Sequence, residues 1–271
     1  MKITKTDARR KFKRKFGQAN HFLITSLIAL DYLENTETPK KPSSFNTTWN
    51  PKDIFVSIRR TREFLINAFL ASAVDSLDMY FSILNKAPKI LVNEDIEIIY
   101  SKAGRSVYQK VTLIGEYLEI DKLLIALMEL MIAWRNNLTH AFAENIITDT
   151  TREYLKSKQL EILNLYSGLK IEESIKKAEE KISPDFKDVA SLIAASHRFI
   201  EEIDNKILEK LDINLYAKEV IKFAIKESNK TKLKLTVSDE ATKIKILKNI
   251  LLNYAALEIE ETDIEIFNLS L

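Results

Sequence analysis

Residues that break regular structure are scarce in this chain. Only four glycines and five prolines occur among its 271 residues, and long stretches contain neither. A sheet protein needs many tight turns, and glycine, proline, asparagine, aspartate and serine build most of them. With 46% hydrophobic residues, the chain has enough apolar side chains for a sizeable core. The composition therefore predicts a mostly helical protein.

The apolar residues repeat with helical spacing. Between residues 8 and 33 they recur every three or four positions, which predicts one amphipathic helix. Asn50 and Pro51 are typical of an N-cap and a first helical position, so a second helix is expected from there to about Leu84. Further helices are expected within residues 93–118, 121–147 and 151–165 (ended by Ser167 and Gly168) and from residue 183 onward.

The last sixty residues have a different pattern. Lys232–Val237 alternates polar and apolar residues like a strand, residues 239–256 are typical of a helix, and residues 257–267 again alternate in part. This pattern predicts a small mixed α/β appendage at the C-terminal end. The predicted organisation is a basic N-terminal helix and polar loop (residues 1–50), a helical domain (51–213) and the appendage (214–271).

The residue types present exclude several kinds of site. The chain has no cysteine, which rules out disulfides, thiol catalysis and cysteine metal sites. Three scattered histidines do not favour a zinc site, so neither metal nor cofactor is expected. The apolar stretch after the basic N-terminal residues lacks the cleavage pattern of a signal peptide, and no apolar run reaches the length of a membrane span. A soluble, cytoplasmic protein is expected.

One segment carries candidate chemistry. Arg135–His140, with the sequence RNNLTH, follows the strongly apolar run Leu123–Trp134 and places an arginine five positions before a histidine. Histidine is the only side chain whose unperturbed pKa lies near neutrality. Arginine is permanently charged and binds phosphate oxygens through its fork of N–H groups. Neither His21 nor His197 has an arginine at this spacing.

The Arg-x4-His pattern at the end of a core helix, with Asn136 directly after the arginine, resembles the signature of the HEPN-domain ribonucleases. The segment Phe69–Phe81 also resembles the early helix of several HEPN groups. The resemblance implies a HEPN-like helical bundle and a metal-independent endoribonuclease. In such an enzyme the ribose 2′-OH attacks the adjacent phosphate and leaves a 2′,3′-cyclic phosphate. It also implies a toxin or an effector of antiviral defence against phage.

The same resemblance assigns roles to single residues. His140 is expected to act as general base or acid, Arg135 to stabilise charge on the phosphate, and Asn136 to orient His140 or bind substrate. Asp75 and Asp78 are expected to support the site by holding Arg135 or His140, although both are also ordinary acids on a packed helix. The expected partners are RNA, a second copy of the chain whose motif faces the first, and an antitoxin or defence-system protein.

Charge is unevenly distributed along the chain. Residues 1–20 contain eight basic residues against Asp7 alone, as a binder of the phosphate backbone requires, although a solvated helix face explains the charge equally well. Two alternatives to catalysis also stay open: a catalytically silent HEPN-like module that dimerises or binds nucleotide or RNA, and a helical scaffold with an accidental motif. The residues expected to bind RNA are Arg9, Arg10, Lys11, Lys13, Arg14 and Lys15.

Overall fold

The computed structural model describes residues 1–37, 39–139, 147–166 and 168–260. These residues form helices and loops, and the β pairing among them is one isolated antiparallel bridge between Lys2 and Glu258. The prediction of a mostly helical protein is therefore confirmed. In chain order the helices are α1 (Asp7–Glu34), α2 (Ile54–Leu84), α3 (Glu94–Ala103), α4 (Val107–Tyr117), α5 (Lys122–Thr139), α6 (Asp149–Ser157), α7 (Gln159–Leu165), α8 (Ile171–Glu179), α9 (Phe186–Glu209), α10 (Ile213–Glu227), α11 (Asn229–Val237) and α12 (Glu240–Ala255).

The chain forms two compact units, and each combines segments that lie far apart in the sequence. The motif unit, named for Arg135, contains the described residues of Arg14–Ser76 and Lys122–Ser196. The terminal unit contains the described residues of Met1–Lys13, Leu77–Asp121 and His197–Leu271. The predicted domains, in contrast, were consecutive ranges of the sequence.

In the motif unit, helix α5 packs against α6 and α8, and α7 packs against α8. The rings of Phe16 on α1 and Phe69 on α2 lie 5.9 Å apart between centroids, and both side chains are buried. Gly168 ends the segment after α7 with a φ of 78°, and its N–H donates to the Leu163 carbonyl at 2.8 Å. The predicted cap at Ser167 and Gly168 is confirmed in part: the C-cap is Tyr166, Gly168 makes the return hydrogen bond two residues later, and Ser167 lies outside the described residues. The single helix predicted over residues 151–165 is wrong, because α6 ends at Ser157 and α7 begins at Gln159.

In the terminal unit, α3 packs against α4, and α10 packs against both α11 and α12. Edge-to-face contacts link Phe12 to Tyr80, Tyr80 to Phe81, and Phe81 to Phe199, and all four rings are buried. Such aromatic pairs contribute about 0.5–1.5 kcal/mol each beyond the area that they bury. This cluster joins the first turns of α1 to the end of α2 and to α9.

A buried carboxylate lies beside the aromatic cluster. Asp204 on α9 is fully buried and accepts hydrogen bonds from the Thr6 amide (3.0 Å), the Thr6 hydroxyl and the Tyr80 hydroxyl (3.3 Å). Arg9, also buried, has a guanidinium nitrogen 3.8 Å from Asp204 and pairs with Glu201 as well. Buried charges persist when they are paired and hydrogen-bonded, so this cluster fixes the start of α1 on α9.

Helix α2 begins later than the sequence predicts. The Asp53 carboxylate accepts from the Val56 amide at 3.1 Å, and the Asp53 carbonyl accepts from the Ser57 amide at 3.2 Å. Asp53 is therefore the N-cap, and the assignment of that role to Asn50, with Pro51 as the first helical residue, is wrong. Aspartate and asparagine cap equally well, so the residue types alone do not decide between the two positions.

The predicted strand Lys232–Val237 is also wrong, because these residues lie in α11. The Ser228 hydroxyl accepts from the Thr231 amide at 3.2 Å and starts the helix, and Leu235 is its one buried side chain. The exposed Leu233 and Val237 produced the apparent alternation. Of the second predicted strand, Glu258 forms the bridge to Lys2, while residues 261–267 lie outside the described part of the chain.

Helix α2 meets the length and composition of a membrane-crossing helix, contrary to the expectation that no run is long enough. Half of its most apolar 18-residue window is buried inside the protein. Core helices of soluble proteins have the same composition, so this property alone does not place the chain in a membrane.

Removal of the Asp204 carboxylate should destabilise the terminal unit strongly. In Asp204→Ala, Thr6 and Tyr80 lose their acceptor and Arg9 keeps only Glu201. Loss of one partner from a buried charged pair costs about 3–5 kcal/mol, and urea denaturation should show a fall of that size in the free energy of unfolding. Glu201→Gln is the control, since the Glu201 side chain is 55% exposed and its loss should cost at most about 1 kcal/mol. Equal losses in the two variants would contradict this role of Asp204.

The pH dependence of stability gives a second test of Asp204. Burial raises the pKa of Asp204 above its ordinary value, while hydrogen bonds from Thr6 and the charge of Arg9 act in the opposite direction. A carboxyl group whose pKa is raised by folding adds stability below its ordinary pKa, and this contribution is lost as the pH rises through the folded value. Between about pH 7 and about pH 4, the unmodified protein should therefore gain stability relative to Asp204→Asn. A constant difference in unfolding free energy would contradict this expectation.

Candidate active site

Helix α5 carries the RNNLTH motif at the end of a buried apolar run. Every residue from Leu123 to Trp134 is buried, and the following Arg135 and Asn136 are half-buried. A helix that is apolar on all sides must be enclosed by other elements, so its position is set by packing. Arg135 is therefore the first side chain after these twelve that is partly exposed to solvent.

Two hydrogen bonds fix the end of α5. The Trp134 indole N–H donates to the Ile182 carbonyl at 2.9 Å, and the Asn137 amide donates to the Ala178 carbonyl at 3.0 Å. Both acceptors lie at the end of α8 or just after it. Trp134 and Asn137 are three positions apart and so share one helix face, which is the face turned toward α8. The backbone at Arg135 is therefore held by one hydrogen-bonded residue before it, Trp134, and one after it, Asn137.

The guanidinium group of Arg135 is only partly satisfied by the protein. Its Nε is buried and has no hydrogen-bond partner within the described residues. The Thr139 hydroxyl donates to the Arg135 carbonyl at 2.9 Å, a contact with the backbone that does not supply an acceptor for Nε. A buried donor without an acceptor costs about 1–3 kcal/mol, and more when it is charged. An anionic ligand at this position would supply the missing acceptor.

The two asparagines of the motif have different environments. Asn137 is buried and holds α5 to α8, whereas Asn136 is half-buried. Sequence reasoning singled out Asn136 and missed Asn137. The signal was present, because Asn137 continues the buried row of Leu127, Leu130 and Trp134 at spacings of three and four. An amide on a buried row must find a hydrogen-bond partner.

His140 lies outside the described residues, as do residues 141–146. The predicted pairing of His140 with Asn136, and its distance from Arg135, therefore stay predictions. The helix that was predicted over residues 121–147 is described from Lys122 to Thr139, and Ile147 is not helical.

The two predicted supporting acids fall in different units. Asp75 belongs to the motif unit and is exposed on α2. Asp78 belongs to the terminal unit, where its carboxylate lies 2.7 Å from the Lys110 ammonium on α4. The described partner of Asp78 is thus a lysine rather than Arg135.

Three of the six predicted RNA-binding cations have partners inside the terminal unit. Arg9 is buried against Glu201 and Asp204. Arg10 donates to Asp7 and to the carbonyls of Leu252 and Asn253, at 3.1 and 2.8 Å. Lys11 lies 2.7 Å from Asp7.

The other three predicted cations are more accessible. Lys13 and Arg14 are exposed, and Lys15 is half-buried. The basic start of α1 thus holds the fold together as much as it offers charge to a ligand. Deletion of residues 1–15 would also remove buried Phe12 and Thr6, so it is not a clean test of RNA binding.

The two described histidines offer no second catalytic pair. His21 is exposed on α1, and the His197 ring lies 5.6 Å from the Phe12 ring. Burial, together with the charges of Lys13 and Arg9, lowers the pKa of His197. Within the part of the chain that the structure describes, no three histidine, aspartate or glutamate side chains come together as a metal site would need.

No known protein family, curated protein or solved structure matches this chain. The likeness to HEPN ribonucleases therefore depends on the motif residues and on their setting at the end of α5.

Arg135 and Asn137 should differ sharply in their effect on stability. Asn137→Ala leaves the Ala178 carbonyl without its donor and should cost about 1–3 kcal/mol in urea denaturation. Arg135→Met keeps the apolar stem and removes a buried Nε that has no partner among the described residues, so the variant should be no less stable than the unmodified protein. A loss of about 2 kcal/mol or more in Arg135→Met would show that the guanidinium group is structural.

Proposed function

We propose that this protein is a metal-independent endoribonuclease of HEPN type. The ribose 2′-oxygen attacks the adjacent phosphorus, the bond from phosphorus to the 5′-oxygen breaks, and the products are a 2′,3′-cyclic phosphate and a 5′-hydroxyl. His140 moves the protons as general base or acid. Arg135 stabilises the negative charge that develops on the phosphate, and Asn136 orients His140 or binds the substrate.

The observation that carries this proposal is the state of Arg135. It is held on a helix whose end is fixed by Trp134 and Asn137, and its Nε lacks a partner among the described residues. The Nε atoms of Arg9 and Arg62 also lack a partner among the described residues, but each of these guanidinium groups pairs with acids through another nitrogen. No such pair with a described acid is present at Arg135. An arginine that is rigidly mounted but unsatisfied suits the binding of a phosphate anion.

The proposed biology follows from the reaction. An enzyme that cuts RNA needs restraint in the cell that makes it, so we propose a toxin or antiviral defence effector in the cytoplasm, with an antitoxin or defence-system protein as its partner.

The reaction is tested with end-labelled RNA in the presence of EDTA. The unmodified protein should cleave the RNA, and His140→Ala should lose about 10²–10⁴-fold in rate, the usual contribution of one proton-transfer group. Arg135→Lys keeps the charge but loses the fork, so its rate should also fall clearly.

Matched controls are His21→Ala and Arg105→Lys, which alter an exposed histidine and an exposed arginine outside the motif. Both should cleave at the rate of the unmodified protein. If His140→Ala also cleaves at that rate, the catalytic assignment is wrong. If no protein cleaves but RNA still binds, the chain is a catalytically silent RNA-binding module instead.

We further propose that the active form is a homodimer with both motifs lining one cleft. Cleavage uses a base and an acid, whereas one Arg135–His140 pair supplies a single proton-transfer group, and two-fold homodimers are the commonest soluble oligomers. Mixing His140→Ala protomers with Arg135→Ala protomers places one intact arginine and one intact histidine in a shared cleft, so part of the activity should return. A protein that sediments as a monomer at micromolar concentration and cleaves at full rate would contradict the dimer.

A further inference from the structure

The terminal unit contains a half-open cleft of about 580 Å³. Its apolar lining comes from the end of α2 and the segment after it, including Leu84, Pro88 and Ile90. Residues of α1, α10 and α12 complete it. Ligand sites are typically concave, of this order of volume, and mostly apolar with a few placed polar groups.

Three aromatic rings line the cleft. Tyr216 and Phe223 come from α10, and Tyr254 comes from α12. The rings of Phe223 and Tyr254 meet edge to face with 6.1 Å between centroids, and Tyr254 stays 41% exposed. An accessible ring in a cleft can stack on any planar base, since every nucleobase has a π-face.

The charged residues that line the cleft are balanced, with Asp7 and Glu227 against Lys11 and Lys86. The Asp7 carboxylate is matched by Arg10 and Lys11, which lie 2.5 and 2.7 Å away. Lys86 is exposed at the rim, as is the acid Glu227. Burial and the charge of Asp7 raise the pKa of Tyr216, so its hydroxyl stays protonated as a donor.

A row of lysines on α10 runs beside the cleft. Lys218, Lys222 and Lys226 are exposed at intervals of four residues, so they share one helix face about 6 Å apart along the axis. Lys222 and Lys226 lie about 100° around the helix from the cleft residues Phe223 and Glu227, so their row flanks the face that lines the cleft. The pair of Lys222 with Glu219, at 2.8 Å, is solvent-exposed and therefore weak.

The charge of the whole segment has the same sign. Residues 213–256 contain nine lysines against four acids, a net charge of +5, although the full chain has a net charge of only +2. The span of α10–α12 is thus basic, and α10 and α12 supply the aromatic rings. Residues 1–13 of the same unit are also basic, with six basic residues against Asp7, whereas residues 257–271 contain five acids and no basic residue.

We propose that this surface binds single-stranded RNA, with one unstacked base against Tyr254 in the cleft and the phosphates along Lys218, Lys222 and Lys226. Aromatic stacking beside a basic track is the usual means of binding a single strand without strong sequence preference. This inference rests on the proposed function, because it names where the substrate strand lies, but its test measures binding without cleavage.

The probe is a fluorescently labelled single-stranded oligoribonucleotide whose 2′-hydroxyls are methylated, so that 2′-OH attack is blocked. Its affinity for the full chain is measured by fluorescence anisotropy at several salt concentrations. The triple variant Lys218→Gln, Lys222→Gln, Lys226→Gln should flatten the slope of log affinity against log salt by about 2, since each phosphate contact on a single strand contributes about 0.7.

A matched triple variant controls for the loss of charge. Lys158, Lys170 and Lys176 are partly or largely exposed lysines of the motif unit, each paired with a nearby glutamate as Lys222 is. Their substitution by glutamine should leave the slope unchanged. Equal effects of the two triple variants would overturn the proposed track.

The cleft is tested at Tyr254. Tyr254→Leu should weaken binding about ten-fold at an unchanged salt slope, because it removes the stacking ring, whereas Tyr254→Phe should bind normally. Thermal unfolding verifies that each variant is folded. Unchanged affinity of a folded Tyr254→Leu variant for the strand would overturn the proposed stacking of a base on Tyr254. Displacement of the strand by an equal concentration of uridine monophosphate would overturn it as well.

Binding and cleavage fail independently in these experiments. If the unmodified protein binds the methylated strand through this surface but cuts no RNA, the proposed ribonuclease activity fails and this inference stands. If it cuts RNA while the lysine and Tyr254 variants bind as the unmodified protein does, this inference alone fails.

Discussion

The burial of helix α5 is the constraint on which the candidate active site depends. Twelve consecutive buried residues, Leu123–Trp134, require this helix to be enclosed by other parts of the protein. Its one buried acid, Glu129, accepts a hydrogen bond from the Thr151 hydroxyl at 2.7 Å, which links α5 to α6. At the other end, Trp134 and Asn137 bind backbone carbonyls near the end of α8. Arg135 therefore projects from a backbone with little freedom to move. A catalytic cation needs such a rigid mounting, because misplacement by about 1 Å can remove most of its effect.

The basic residues of the chain have two different uses. At the start of α1, Arg9 binds Glu201 and Asp204 and fixes the N-terminal segment on α9, while Arg10 and Lys11 pair with Asp7 in the same turn. The lysines of α10 are exposed, and Lys222 forms only a solvent-exposed pair with Glu219. A run of basic residues in a sequence is therefore a poor guide to a binding surface. A basic residue is used by the fold when a distant segment supplies a carboxylate to it. For Arg9 that carboxylate belongs to Glu201, about 190 residues further along the chain.

The sequence predicted the long helices, but it missed α10, assigned a strand to α11 and joined α6 and α7 into one helix. Apolar spacing of three and four predicted α1 and α9, since amphipathic helices must bury one face. It failed for Lys232–Val237, where one buried residue, Leu235, decides the packing and the two exposed apolar neighbours imitate a strand. In the site, the sequence predicted Arg135 from its spacing to His140. It did not distinguish Asn136 from Asn137, because the choice depends on which amide faces the Ala178 carbonyl. The sequence did not predict the cleft beside α10, because residues from four separate helices, α1, α2, α10 and α12, line that cleft.

The central claim is that Arg135 and His140 direct the 2′-oxygen of RNA onto its own phosphate. The most direct measurement is the chemistry of the new ends, determined by mass spectrometry after incubation in EDTA with an RNA and with the same strand carrying a single 2′-deoxy nucleotide at the cut position. We expect a 2′,3′-cyclic phosphate and a 5′-hydroxyl from the RNA, and no cleavage at the 2′-deoxy nucleotide of the second strand. A 3′-hydroxyl with a 5′-phosphate, or equal cutting of the deoxy strand, would contradict the central claim.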